Sequence, residues 1–479
     1  MQPLLVLSPR ALALLAGFAL SGCAVGPDFH RPTAPQTDRY TTQSLDDGFL
    51  LGQEPPLDWW QGFGSNTIDE LVQQALRANP TLDAAEATLR QSLETVAAQR
   101  GSYFPTLLAQ ASATRNRDAT QVLSPTLTSG AASYSLYTPE LTVSFVPDVF
   151  GGNRRQVESL QALAEASRDQ YDAAYLTLIA NVVSAAIQGA GLRTQIGATR
   201  QVINLQRESL SVMRSQLGLG AIAEADVLAQ DAALAQIEAS LPPLQKALDQ
   251  QHDLLAALTG RFPGEVSEES LELGQLRLPT AIPIGVPSRL VERRPDVRAS
   301  AAQLHAATAA VGVAIANMLP QITITGQLGD VATDSSQIFA GMNEFWSAGA
   351  SLTQTLFAGG MLYHRERAAR AGLDVAGAQY RQAVLTAFQN VADALRALTA
   401  DADAVRLQQR ASDAAQSSLE ITRQQYALGA VGYQALLAAQ QGYQQAIIGR
   451  TQALMNQYSD AAALFQALGG HAPPPEKSR

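Results

Sequence analysis

The chain has one cysteine among its 479 residues, Cys23, which excludes an internal disulfide and leaves its stability to packing. Aromatic residues make up only 6% and charged residues 16%. The five histidines, His30, His252, His305, His364 and His471, are scattered without a cysteine or carboxylate at ligand spacing, so no metal site is expected. No Ser/His/Asp set, phosphate loop or dinucleotide fingerprint occurs, and Gly218-Leu219-Gly220 reads as a turn. Neither an enzyme nor a bound cofactor is expected. A net charge of −10 argues against a nucleic-acid partner. After Cys23 there is no run of about 18 apolar residues, so no membrane-spanning helix is expected, and any crossing falls to strands.

What the first residues do contain is an address. Arg10 precedes an apolar run over 11–20 that closes on Leu20-Ser21-Gly22-Cys23, the pattern of a bacterial signal peptide with a lipoprotein cleavage box. Residues 1–22 are expected to be removed and Cys23 to carry covalent lipid, since several acyl chains give the stable anchoring that one does not. A chance cysteine in an ordinary signal sequence is the alternative. Ala24, in place of an aspartate, resembles lipoproteins sorted to the outer membrane.

Beyond that address the chain says nearly the same thing twice. Asn79-Pro80-Thr81-Leu82 opens an Ala-rich helical run that stops at Tyr103-Phe104-Pro105, and Arg294-Pro295-Asp296-Val297 opens another that stops at Met318-Leu319-Pro320, with Pro80 and Pro105 recurring 215 positions later. Tyr171, Asn181-Val182 and Leu219-Gly220-Ala221 recur as Tyr380, Asn390-Val391 and Leu428-Gly429-Ala430, displaced by 209. Such a duplication predicts a protomer with internal two-fold pseudo-symmetry. The proline-free stretches 152–216 and 361–426 each predict one helix of very unusual length, returning antiparallel over 223–258 and 433–468 after tight turns. Pro242-Pro243 should kink the first return helix. Helices this long need partners along their whole length, which points to a coiled-coil tube.

Two hairpin patterns sit between the helices. Leu141, Val143 and Phe145 alternate with Thr142, Ser144 and Val146, and Ile322, Ile324 and Leu328 with Thr323, Thr325 and Gln327. The boundaries expected are a signal peptide at 1–22, a lipid-anchored tether at 23–65, a first repeat at 66–270, a second at 271–470 and a disordered tail at 471–479. The first repeat holds a hairpin at about 106–147 and a long helix pair at 152–259; the second holds them at about 320–356 and 361–468. Four strands per chain cannot close a barrel, and open edges are not tolerated in lipid, so the chain is expected to oligomerise.

Trp59-Trp60 with Phe63 and Leu71, Asn79-Pro80, the paired hairpins, Leu219-Gly220-Ala221 and Tyr426-Ala427-Leu428-Gly429-Ala430 resemble the TolC-like outer-membrane factor family, in its NodT-type efflux lipoprotein branch. The resemblance runs from Cys23 to about Gly470. It implies an α+β membrane protein: a homotrimer whose long antiparallel helices form a tube continuous with a transmembrane β-barrel, four strands from each protomer. It also implies three partners, namely a periplasmic adaptor (membrane fusion) protein, an inner-membrane transporter and outer-membrane lipid, with the protein passively conducting what the transporter delivers.

A gate at the helix turns follows from the same resemblance, with Asp226 and Tyr426 as its latch and Glu224 beside them, around tip glycines Gly220 and Gly429. Asp226 and Glu224 also read as helix-start residues favoured by the dipole. Val431, Ala435 and Ala438 stand where the family has a basic latch residue and inward aspartates, which implies weak block by cations. Gly151, Gly152, Gly359 and Gly360 are expected strand-to-helix hinges. Trp346 fits an interfacial girdle, Trp59-Trp60 collar packing, and Arg154-Arg155 with His364-Arg365 a solvated collar. The alternative function is a lipid-anchored, periplasm-spanning structural or adaptor coiled coil that does not conduct; four amphipathic strands speak against it. Substrate identity is not written in the chain.

Overall fold

Proline and asparagine placement decides where the helices begin. Ser65 caps α1 (Asn66–Ala78) through its hydroxyl, 3.3 Å from the Ile68 amide, and Ile68, Leu71, Val72 and Ala75 form its buried face. Asn79 then ends α1 and starts α2 (Pro80–Arg100): its side-chain oxygen accepts from the Thr81 and Leu82 amides at 2.9 and 3.3 Å. A 3-10 turn at Gly101–Tyr103 follows α2 and leads into the expected stop at Phe104-Pro105. The computed structural model describes residues 24–35, 37, 39–42, 48–117, 133–265, 271–279, 281–341, 343–470 and 472–473. The expected signal peptide, Cys23 and nearly all of the tail lie outside them.

After the first strands, β2 (Thr106–Arg117) and β3 (Ser133–Phe145), comes α3 (Gly152–Gly218), 67 residues without a break. The Asp148 carboxylate accepts from the Asn153 and Arg154 amides at 2.9 and 2.8 Å and so satisfies donors of its first turn. The return is not one kinked helix but two, α4 (Glu224–Glu238) and α5 (Leu241–Leu258). Pro242 and Pro243 have no N–H to offer the carbonyls of Glu238 and Ala239, so the ladder is interrupted and restarts on the prolines.

The second half repeats the order: β4 (Ile282–Ile284), α6 (Pro287–Arg293), α7 (Pro295–Ala316), β5 (Gln321–Asp330), β6 (Glu344–Thr353), α8 (Met361–Ala427) and α9 (Tyr433–Leu468). Here the return helix is continuous over 36 residues. The tether, expected to lack strands, contributes β1 (Phe49–Leu51), which pairs in parallel with β4. Contrary to expectation, α3 and α7 each contain a window long and apolar enough to cross a bilayer by composition. Those windows are 61% and 50% buried within the protein, which accounts for their apolar content.

The described chain clusters into two units that cut across the repeats. The first takes Met1–Pro32, Arg90–Ala166 and Ser300–Tyr380, and the second Thr33–Leu89, Ser167–Ala299 and Arg381–Arg479. The first unit carries a four-stranded antiparallel sheet in the order β2-β3-β5-β6, whose edges β2 and β6 are unpaired among the described residues. The second unit has an aromatic knot in which Trp59 stacks on Phe465 at 5.1 Å, Phe63 meets Tyr458 edge-on, and the Tyr458 hydroxyl donates to Leu276 O at 2.8 Å.

The duplication is visible in how each half closes within the second unit. Asn79 Nδ2 donates to Leu258 O at 2.9 Å at the end of α5, and Arg294 Nη1 donates to Ala467 O at 3.1 Å near the end of α9. Gly260 (φ +71) lies against the Ala78 carbonyl, and Gly469 (φ +75) against that of Arg293. A Cβ on Gly260 would overlap the Ala78 oxygen, and its φ already excludes most side chains. Gly260→Ala is therefore expected to lose about 2 kcal/mol or more in thermal unfolding. Gly264→Ala, with nothing within 4 Å of its Cβ, should melt like the wild type.

Candidate gate at the helix turns

Each long helix ends in the same motif. Ala221 N bonds Gln216 O at 2.9 Å and Gly220 N bonds Leu217 O at 2.9 Å; in the second copy Ala430 N bonds Gln425 O at 2.8 Å and Gly429 N bonds Tyr426 O at 3.0 Å. Gly220 and Gly429 both have φ +73, the left-handed residue this C-cap requires. The leucines before them, Leu219 and Leu428, project into solvent at 85% and 84% exposure.

Beneath the first turn, Val202, Ile203, Leu210 and Met213 of α3 pack on Val227, Leu234 and Ile237 of α4, and Tyr433 from the other half leans on this cluster. Two fully buried glutamines, Gln206 and Gln230, accompany it. Gln230 is fully buried; its Nε2 donates to Gln206 O at 3.0 Å and its Oε1 accepts from the Tyr433 hydroxyl. Burial raises the Tyr433 pKa to about 12, the neighbouring Tyr426 adds to the rise, and the bond to Gln230 opposes it. Tyr426 packs edge-on against Tyr433, centroids 6.0 Å apart.

Of the expected latch residues, Tyr426 thus has a described contact, with Tyr433. Asp226 and Glu224 are exposed in the first turn of α4, where the helix dipole favours acids, and a hydrogen bond between the two halves runs from Tyr433 to Gln230. Both residues escaped sequence reading. A lone glutamine at Gln230 in an alternating Ala/Gln helix has no distinguishing pattern, although Tyr433 opening α9 was a usable signal. Val431 is half-buried, and Ala435 and Ala438 are exposed.

Further along α8 and α9, Asp401 faces Asp460. Burial first, then proton sharing with Asp460 and that neighbour's charge, push Asp401 up to about 6 from 3.8. Its Oδ2 is buried with no hydrogen-bond partner. Asp460 also lines a cavity of about 420 Å³ with Arg294, Asn390 and Asp393.

At the strand ends the expected hinges divide. Gly151, Gly359 and Gly360 have φ of +78, +59 and +83, whereas Gly152 is the first residue of α3 and is small because a Cβ there would stand 3.0 Å from Ala316 Cβ. Trp346 on β6 is 77% exposed, while Trp59 and Trp60 are buried. Arg155, expected to be solvated, is 5% exposed. No cluster of three or more metal-ligating side chains occurs among the described residues.

A model of the outer membrane efflux protein family matches residues 71–261 and 286–470, once in each repeat. The chain belongs to the outer membrane efflux protein family. It is 28% identical over 472 residues to the toluene efflux pump outer membrane protein TtgC of Pseudomonas putida, covering 96% of this chain and 95% of that one. It is 26% identical over 422 residues to nodulation protein T of Rhizobium leguminosarum bv. trifolii, 88% of each. Among solved structures, the outer-membrane channel OprN superposes with a TM-score of 0.84 at 31% identity, covering 94% of this chain and 99% of that one. The protein is an outer-membrane efflux component.

Two measurements check this geometry. Tyr433→Phe leaves Gln230 Oε1 buried without its donor, so it should cost about 1–3 kcal/mol in denaturant unfolding, and Tyr426→Phe much less. For Asp401 the folded pKa lies above the ordinary one, so its stabilising contribution is present below pH 3.8 and lost as pH rises through about 6. Asp401→Asn should melt with the wild type near pH 4 and above it at pH 8.

Proposed function

We propose that the protein works as a homotrimeric duct, three four-stranded sheets closing into one twelve-stranded barrel in the outer membrane. The observation that carries this reading is the sheet itself. Among the described residues its edges β2 and β6 are unpaired, which lipid would not tolerate, and neighbouring copies would pair them. Single-chain bacterial barrels begin at about eight strands, so one chain falls short and three suffice.

The long helices α3, α8 and their returns would form the periplasmic tube, anchored by lipid on Cys23 and docked to a periplasmic adaptor and an inner-membrane transporter. Relatives named as pump components, TtgC among them, support that assembly. Conduction is passive, with no chemistry on the cargo. The gate would lie at the helix turns, with Asp226, Glu224 and Tyr426 as its latch, the Tyr433–Gln230 bond joining the two halves there and the left-handed Gly220 and Gly429 fixing the turns. A bond of this kind is worth about 1 kcal/mol net, so three copies hold a gate shut without freezing it.

Purified protein in planar bilayers should give defined single-channel openings, more frequent in Tyr433→Phe and in Asp226→Ala. Block by multivalent cations should be weak, since Ala435 and Ala438 offer no carboxylate. Silence of the wild type and both variants despite verified insertion would remove the duct reading and leave a non-conducting spacer.

A further inference from the structure

The first described residues do not behave as a loose tether. Within the strand-bearing unit, Val25 N donates to Phe150 O at 3.1 Å, closing the segment onto the joint between β3 and α3. The buried Arg155 guanidinium then clamps it. Nε donates to Val25 O at 3.1 Å, and Nη2 to Gly26 O at 3.4 Å and to Asp28 Oδ1 at 2.6 Å. Nη1 donates to Glu158 Oε2 at 2.8 Å, while the other Glu158 oxygen meets His305 Nε2 at 2.9 Å and the His305 ring stacks on Phe29 at 4.4 Å.

Shape complements charge. A Cβ on Gly26 (φ +98) would overlap Gly312 Cα, one on Gly312 would stand 2.8 Å from Val25 O, and one on Gly151 would stand 2.6 Å from Ala24 Cα. Three glycines therefore let two backbones touch. The Arg155 bonds hold the Asp28 carboxyl below its ordinary 3.8; burial pushes Glu158 up, and Arg155 and His305 together draw it below its ordinary value. Among the described residues the second repeat shows no matching clamp: His364, which takes the place of Arg155, is exposed. A buried guanidinium is costly unless fully paired, so this clamp is a specific feature of the first repeat and not a by-product of the duplication.

We propose that Arg155 is a positioning residue that locks residues 24–30 into this socket, so that the lipid anchor leaves the protein at one fixed place beside Gly151. The anchor then sets the strand-bearing unit at its depth in the membrane instead of merely leashing the chain. This rests on the reading that Cys23 is lipidated; the socket itself does not.

The test is hydrogen exchange with mass spectrometry on the full-length, membrane-extracted protein, together with the mass of the N-terminal peptide and the yield of assembled trimer. In Arg155→Met the peptide spanning 24–34 should exchange about tenfold faster or more while 433–440 is unchanged, and assembled trimer should fall several-fold although the lipid is present. Arg155→Lys should restore part of both. Gly26→Val, which blocks the seat from the strap side and leaves the helix intact, should reproduce the loss and covers the case in which Arg155→Met fails to fold. Unchanged protection and assembly in a lipidated variant would overturn the proposal. An unlipidated wild type would remove the lipid reading alone, because exchange over 24–34 still decides on the socket.

Discussion

Everything in this protein hangs on keeping two 67-residue helices side by side with their return helices, and that is a problem of closure at the ends. An isolated helix gains little from its own hydrogen bonds, so its stability comes from lateral packing. Each half solves the problem the same way, with a left-handed glycine pressed on the backbone at the start of the shorter helix and a side chain bonding a carbonyl near the end of the return helix. The first half uses the neutral amide of Asn79 and the second the guanidinium of Arg294. The backbone geometry is shared while the chemistry has drifted, which is why both repeats still match one family model.

Much of this was legible. The absence of proline over 152–216 and 361–426 gave the long helices, the Leu-Gly-Ala turns gave their ends, and Pro242-Pro243 gave the site of the break, though a full interruption stands where a kink was expected. The short parallel pair of β1 and β4 escaped because three residues are too few to show alternation and their partners lie more than 200 positions away. The apolar windows in α3 and α7 escaped because alanine spreads hydropathy evenly along a helix.

The candidate sites were harder to read for a physical reason. Arg155 looks like any basic residue opening a helix; only the return of residues 24–30 across it turns a surface charge into a buried clamp. Likewise the resemblance named Tyr426 and gave no notice of Tyr433, seven residues on and across the turn, whose hydroxyl bonds a residue of the other half.

The break at residues 239–240, just ahead of Pro242-Pro243, also makes the two halves mechanically unlike. A helix with its ladder interrupted is a compliant joint, while an unbroken one of the same length is a rod. Under a pull at Leu219 the chain can bend at the proline pair, whereas the second turn is carried on one unbroken helix to Leu468. Equal forces on the two turns of one protomer therefore produce unequal displacements.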